Sequence, residues 1–396
     1  MGLLRQAREA WEVPRDLLLR RYPPFVTGGP LPRGHVPVFV FHSLEKERFA
    51  RQLAFLADNG YVTLGADQYL AVLDGRETAP ERAVLLTFDD GRGSLWTVGG
   101  PLLRRHGMKG VVFLVPGRME SRPGPPAPTW DDVEAGRAEA AAVSARESGE
   151  GALLSWEETA ALAGQGVFDF ESHTQRHARV HVGPRVVDFL EPRRRHGYEA
   201  FDVPLLAAGP LGDEPPRDLL APEAPLGTPL LESEPLTGER PRFYEDPALR
   251  ARCVDAVAAG GGTLFFERPR WREELRALLP ARVLGRHESP AQREAALTAE
   301  LAEARRAIAE KTGRAVRLLC YPWHAWGPTA RRLAEATGHA AAFCGKVAGT
   351  PITLPGGDRL AIARVGDDYV LLLPGRGRRS LLSVLGAKWR RRLAGA

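Results

Sequence analysis

Apolar positions in this chain fall into two kinds of stretch, short unbroken runs and runs with a helical period, and the two kinds alternate. VPVFVFHS (36–43) is a block of β-formers ended by polar residues and predicts a buried strand. EKERFARQLAFLADNG follows, with Phe49, Leu53 and Leu56 on one helical face and Gly60 as the stop. YVTL (61–64) predicts a short strand, ADQYLAVLDG a second helix and AVLLTF (83–88) another strand. WTVGGPLLRRHG is helical towards its end, and KGVVFLV is a further apolar strand. Strand, helix, strand, helix is the order of a parallel α/β sheet or barrel.

Residues 118–150, rich in Pro and Gly and then in charge and Ala, read as a surface excursion. LLSWEETAALAGQG carries a capping box, Ser155 with Glu158, and VFDFESH (167–173) is a strand. Twelve prolines stand from Pro184 to Pro247, both included. They predict an irregular insertion over about 183–285, with candidate elements only at RCVDAVAAGG and TLFFERP. SPAQREAALTAELAEARRAIAEKTG is the clearest helix, with Ser289 as cap, Pro290 in the first turn, Leu297, Leu301, Ala304 and Ile308 on one face, and Gly313 as stop. Strand VRLLCYPW, helix GPTARRLAEATG and strand AAAFCG follow. The organisation expected is an N-terminal extension (1–34), a main domain (35–375) and a basic C-terminal tail (376–396).

Composition adds little to that picture. The formal charge is +5, but 54 basic residues are spread among 49 acidic ones, and only five are Lys, so no nucleic-acid partner is expected. The local cluster is C-terminal, GRGRRS and KWRRR, and reads as a solvated tail, with peripheral contact to an anionic membrane as the alternative. No run is long enough to span a bilayer, and the charged N-terminus lacks the core of a signal peptide. Cys253, Cys320 and Cys344 are too few and too scattered for a disulfide framework or a thiolate zinc site. The location expected from these features is cytoplasmic, peripheral at the inner membrane face if the tail binds lipid.

The chemistry gathers at strand ends, where α/β folds build their sites. The strand AVLLTF runs into Asp89 and Asp90, two adjacent carboxylates that repel. SHTQRH (172–177) follows a second strand and CYPWHAWG (320–327) a third. One Asp with two His makes a three-ligand set that leaves positions open for water and substrate, as a catalytic zinc requires, although iron(II) accepts the same set. A divalent cation relieves the Asp–Asp repulsion, and alternating side-chain directions let one carboxylate bind it while the other faces the water. His173, His177 and His181 recur every fourth residue, so spacing alone leaves open which two would bind.

TFDDG followed by SHTQRH resembles the polysaccharide deacetylases, the NodB-homology domains of carbohydrate esterase family 4, and the likeness runs from about VPVFVFHS to LAIARVG. The resemblance implies a distorted (β/α) barrel that removes acetyl groups from N-acetylated sugars with a divalent metal, Zn2+ first and Fe2+ or Co2+ as alternatives. Carried over by position, Asp89 would be the general base, and Asp90, His173 and His177 the metal ligands. Tyr321, Pro322 and Trp323 match the family's Pro-aromatic motif and are implied substrate-binding residues; Trp323 would line the groove and its backbone N–H would help hold the oxyanion. FVFHS resembles the branch acting on poly-N-acetylglucosamine, which implies His42 as general acid. His324 stands where the family has a short Gly turn and is a candidate substrate contact. Cys320 stands at the usual place of an Arg that tunes the base, so Asp89 would need another partner. The implied substrate is an acetylated polysaccharide, glycolipid or sugar precursor. An inactive carbohydrate-binding relative and a sugar O-acetyl esterase are the competing readings.

Overall fold

The apolar runs become strands where expected. In this computed structural model, residues 12–146, 151–208, 217–280 and 282–393 are described. The first half supplies β1 (Val38–Phe41), β2 (Val62–Thr63), β3 (Ala83–Phe88), β4 (Gly110–Leu114) and β5 (Phe168–Ser172). Helices Lys46–Asp58, Ala66–Leu73, Gly100–Arg105 and Trp156–Gln165 connect them. β3 and β4 are buried on both faces, which is why they read as continuous apolar runs rather than alternating ones. The Ser155–Glu158 capping box forms as expected, and Gly166 ends that helix in the left-handed region. The 118–150 stretch is not wholly irregular, since it holds short helices at Trp130–Glu134 and Ala140–Ala145.

The insertion departs from expectation. It folds into regular pieces: β6 (Arg179–Phe189) pairs with β9 (Pro229–Pro235), β7 (Leu206–Ala208) with β8 (Arg217–Leu219), and β10 (Phe243–Glu245) with β11 (Gly285–His287), all antiparallel. Helices Pro247–Ala259 and Trp271–Ala277 and a 3-10 turn at Gly262–Glu267 complete it. Its prolines punctuate elements rather than break them: Pro229 and Pro235 bound β9, and Pro247 opens a helix. Phe189, Cys253, Val257, Phe265, Trp271 and Leu275 give it a core of its own.

After the helix Pro290–Thr312 come β12 (Leu318–Cys320), β13 (Ala341–Phe343) and β14 (Val365–Gly366). The main sheet is parallel, in the order β13-β12-β5-β4-β3-β1-β14, with β2 beside β3. Phe343 on β13 bridges Ile362, and three residues later Val365 pairs with Phe39 of β1. The stretch 362–366 therefore joins the two edges of the sheet, and the strands form a distorted (β/α) barrel.

The C-terminus also departs from expectation. It is a helix, Leu381–Leu393, with Val384 buried in the main core, and its Arg391 and Lys388 pair with Asp368. Cations engaged in this way are not free for the lipid contact envisaged from sequence. Among the described residues, no helix is long and apolar enough to cross a membrane.

Candidate active site

Strand register brings the three motifs together. Phe41 pairs with Phe88, and the Asp89 N–H donates to Phe41 O at 3.0 Å, so His42 and Asp89 leave neighbouring strands side by side. Leu114 and Leu319 both pair with Ser172, which sets His173 between the ends of β4 and β12. Among the described residues, five of the six non-glycine residues with positive φ lie in these motifs: Asp90, Thr174, His177, Trp323 and His324. Such backbone is costly and persists where surrounding contacts enforce it, commonly at functional sites. Gly91 has φ +66°, and a Cβ there would meet Leu114 Cδ2 at 2.8 Å, so the glycine of TFDDG is required.

Asp90 Oδ1 lies 3.6 Å from His173 Nε2 and 3.7 Å from His177 Nε2. These separations are too long for hydrogen bonds. Two ligands at about 2.1 Å from one tetrahedral centre stand about 3.4 Å apart, so the donor set fits a shared cation. His173 Nδ1 sits 2.8 Å from Cys320 O; with the proton on Nδ1, Nε2 turns its lone pair inward. His177 Nδ1 is buried with no hydrogen-bond partner among the described residues. Burial pushes both imidazoles down from their ordinary value, against the pull of Asp89 and Asp90, and so favours the neutral form a metal needs. Arg92 grips the other oxygen of Asp90, Nη2 to Oδ2 at 2.6 Å. Burial works to raise Asp90, but His177 and Arg92 outweigh it and hold the carboxyl well below the usual range.

Asp89 has the partner that Cys320 cannot supply. Arg364, in the stretch that closes the barrel, makes a forked pair with it, Nη1–Oδ1 2.7 Å and Nη2–Oδ2 2.8 Å, while Nη2 also meets Cys320 Sγ at 2.9 Å. Burial would raise the Asp89 carboxyl, yet Arg364 and then His173 keep it ionised far below its ordinary value. A second triad, Asp89, His173 and Cys320, also converges. There the guanidinium already occupies both carboxylate oxygens, and burial drives the thiol up, so that set suits a cation poorly. His181 is set apart from the ligand question: its Nε2 accepts from Leu231 N–H at 3.2 Å and its Nδ1 faces Glu245 at 3.3 Å.

The Trp323 ring stands 4.0 Å from that of His177, and its N–H has no acceptor among the described residues, whereas those of His324 and Ala325 close the turn. His324 is exposed at the mouth and close enough to Asp89 and Arg364 to feel their charge. Tyr321 and Pro322 do not line a groove. Tyr321 is fully buried, with its hydroxyl on Leu360 O and its ring stacked on Trp326, and Pro322 is buried beside it. The insertion supplies the remaining wall, with Phe201 against His177 at 5.2 Å and Tyr198 under the Arg92 guanidinium at 3.3 Å.

Sequence reasoning missed Arg364, Arg92, Phe201 and Glu300. Glu300 accepts from Arg176 N and Nε and fixes the SHTQRH loop. Two of the four left a signal: Arg364 is a lone charge in the strand-like LAIARVG, and Glu300 is a carboxylate on the apolar face of its helix, three residues after Leu297.

A parallel (β/α) barrel with two Asp and two His converging at its strand ends has the layout of a hydrolytic metal centre. Residues 76–192 match the family described as polysaccharide deacetylase. YxkH of Bacillus subtilis, named for the same family, is 31% identical over 88 residues, which span 20% of this chain and 32% of that protein. Among solved structures, the BpsB deacetylase domain from Bordetella bronchiseptica aligns with a TM-score of 0.50 at 15% identity, covering 85% of this chain and 98% of that one. A de-N-acetylase from Aggregatibacter actinomycetemcomitans aligns at 0.49 and 16%, covering 84% and 94%.

Proposed function

We propose that the protein is a metal-dependent hydrolase that removes the N-acetyl group from an N-acetylated sugar of a polysaccharide, glycolipid or sugar precursor. The observation that carries the reading is the convergence of Asp90 Oδ1 with the Nε2 atoms of two buried imidazoles, beside a second carboxylate paired with Arg364. Asp90, His173 and His177 would hold the cation, which supplies polarisation of the acetamide carbonyl and acidifies water towards a pKa of about 7.

The chain's own groups do the rest. Asp89 accepts the proton of the attacking water as its oxygen bonds to the acetyl carbon. Because Arg364 makes that carboxylate a weak base, it is matched to an acidified water rather than to bulk water. The free N–H of Trp323 is a donor for the developing oxyanion. His42, at the end of β1, protonates the sugar nitrogen as the C–N bond breaks, leaving acetate and a free amine.

Elemental analysis joined to an acetate-release assay on acetylated sugars tests this. Asp90→Asn and His173→Ala should lose both metal and activity, whereas Asp89→Asn should retain the metal and lose acetate release. A fully active Asp89→Asn protein would defeat the base assignment.

A further inference from the structure

Beside the metal centre lies a pocket of about 450 Å3, walled in part by Leu153, Tyr198 and Phe201, and Phe201 is the residue that packs on His177. Three arginines line it, Arg118, Arg122 and Arg195, with one acidic residue, Glu120. Arg122 pairs with Glu120 at 3.6 Å. The other two make no ion pair among the described residues. Arg118 donates only to carbonyl oxygens, Nε to Arg176 O at 2.8 Å and Nη1 to Ala200 O at 3.3 Å, and lies 4.3 Å over the Phe201 ring. Burial pushes it down, but only to about 10, so it remains a cation at neutral pH. Arg195 donates to Pro222 O, and its Nε is buried with no partner among the described residues.

Like charges gathered in a half-buried cleft repel and lose hydration, a cost that an incoming anion removes. Forked guanidinium donors match phosphoryl oxygens in particular. We propose that this pocket is a phosphoryl-binding subsite, which seats a phosphate carried by the acetylated sugar while the acetamide lies at Asp90, His173 and His177. The inference rests on the deacetylase reading only for its identification of the ligand as substrate.

Calorimetric titration of the chelator-treated protein with inorganic pyrophosphate should show saturable binding. Arg118→Gln and Arg195→Gln should each weaken it about tenfold or more. Arg195 is partly exposed, so its variant should fold even if the Arg118 variant does not. Asp90→Asn should bind pyrophosphate as the wild type does. On metal-loaded protein, N-acetylglucosamine 1-phosphate should show a lower KM than N-acetylglucosamine, and uridine diphosphate N-acetylglucosamine separates a monoester seat from one for a diphosphate link. No pyrophosphate binding, binding untouched by either Arg substitution, or equal KM values overturn the subsite and leave the deacetylase reading intact. Pyrophosphate held through Arg195, with no acetate released from any substrate, overturns the deacetylase reading and keeps the subsite.

Discussion

Arg364 is the main counter-charge of the Asp89 carboxylate. It is fully buried, its charge is compensated by Asp89, and its fork also reaches Cys320. Removing one partner of such a pair strands the other in low dielectric. Arg364→Met is therefore expected to cost about 3–5 kcal/mol in urea unfolding and to abolish acetate release. Arg364→Lys keeps the charge but loses the fork, and should fall between the two. Equal stability of Arg364→Met and wild type would remove the pair from this account. The same contact gives Asp89 the basic partner that Cys320 does not supply: the guanidinium arrives from the stretch that closes the barrel.

Turns and strand pairs set where these groups stand. Gly91 lets the chain reverse after Asp90, so Gly91→Ala should cost about 1–2 kcal/mol for the left-handed backbone alone, with a further loss of activity as the new Cβ presses on Leu114 and shifts the neighbouring Asp90. In the insertion, β6 is fastened to β10 through His181 and Glu245. Burial acts to raise Glu245, but His181 and Arg250 prevail and bring it down to about 2. Its folded value lies below its unfolded one, so its contribution to stability is present above about pH 4.5 and is lost as pH falls towards 2. Glu245→Gln should be less stable than wild type at pH 7, with the difference shrinking in denaturation curves taken at pH 4 and pH 3. A deficit constant across that window would show that the carboxylate's charge is not what fastens the two strands.

For the molecule as a whole, a cation held at the proposed site by Asp90, His173 and His177 would tie β3, β5 and the SHTQRH loop at one end of the barrel. A cation bound to the folded state alone stabilises it by mass action, about 2.7 kcal/mol when its free concentration is a hundredfold above Kd. Chelation should therefore lower Tm and added Zn2+ should restore it, while Asp90→Asn should show neither shift in the same scanning calorimetry. The basic C-terminal helix belongs to the same body, docked through Val384 and held to Asp368.

Local pattern determined the alternation of strand and helix, the caps at Ser155 and Ser289, and the residues that meet at the centre, because side-chain period, capping chemistry and strand-end position are properties of neighbouring residues. It also pointed to two histidines among three without separating them. Only the tertiary structure decided that His181 turns to Glu245 while His177 turns to Asp90, that Arg364 answers for Cys320, and that a proline-rich insertion folds and supplies Phe201. These depend on contacts between residues far apart in the chain, where register and barrel closure, not local propensity, choose the partner.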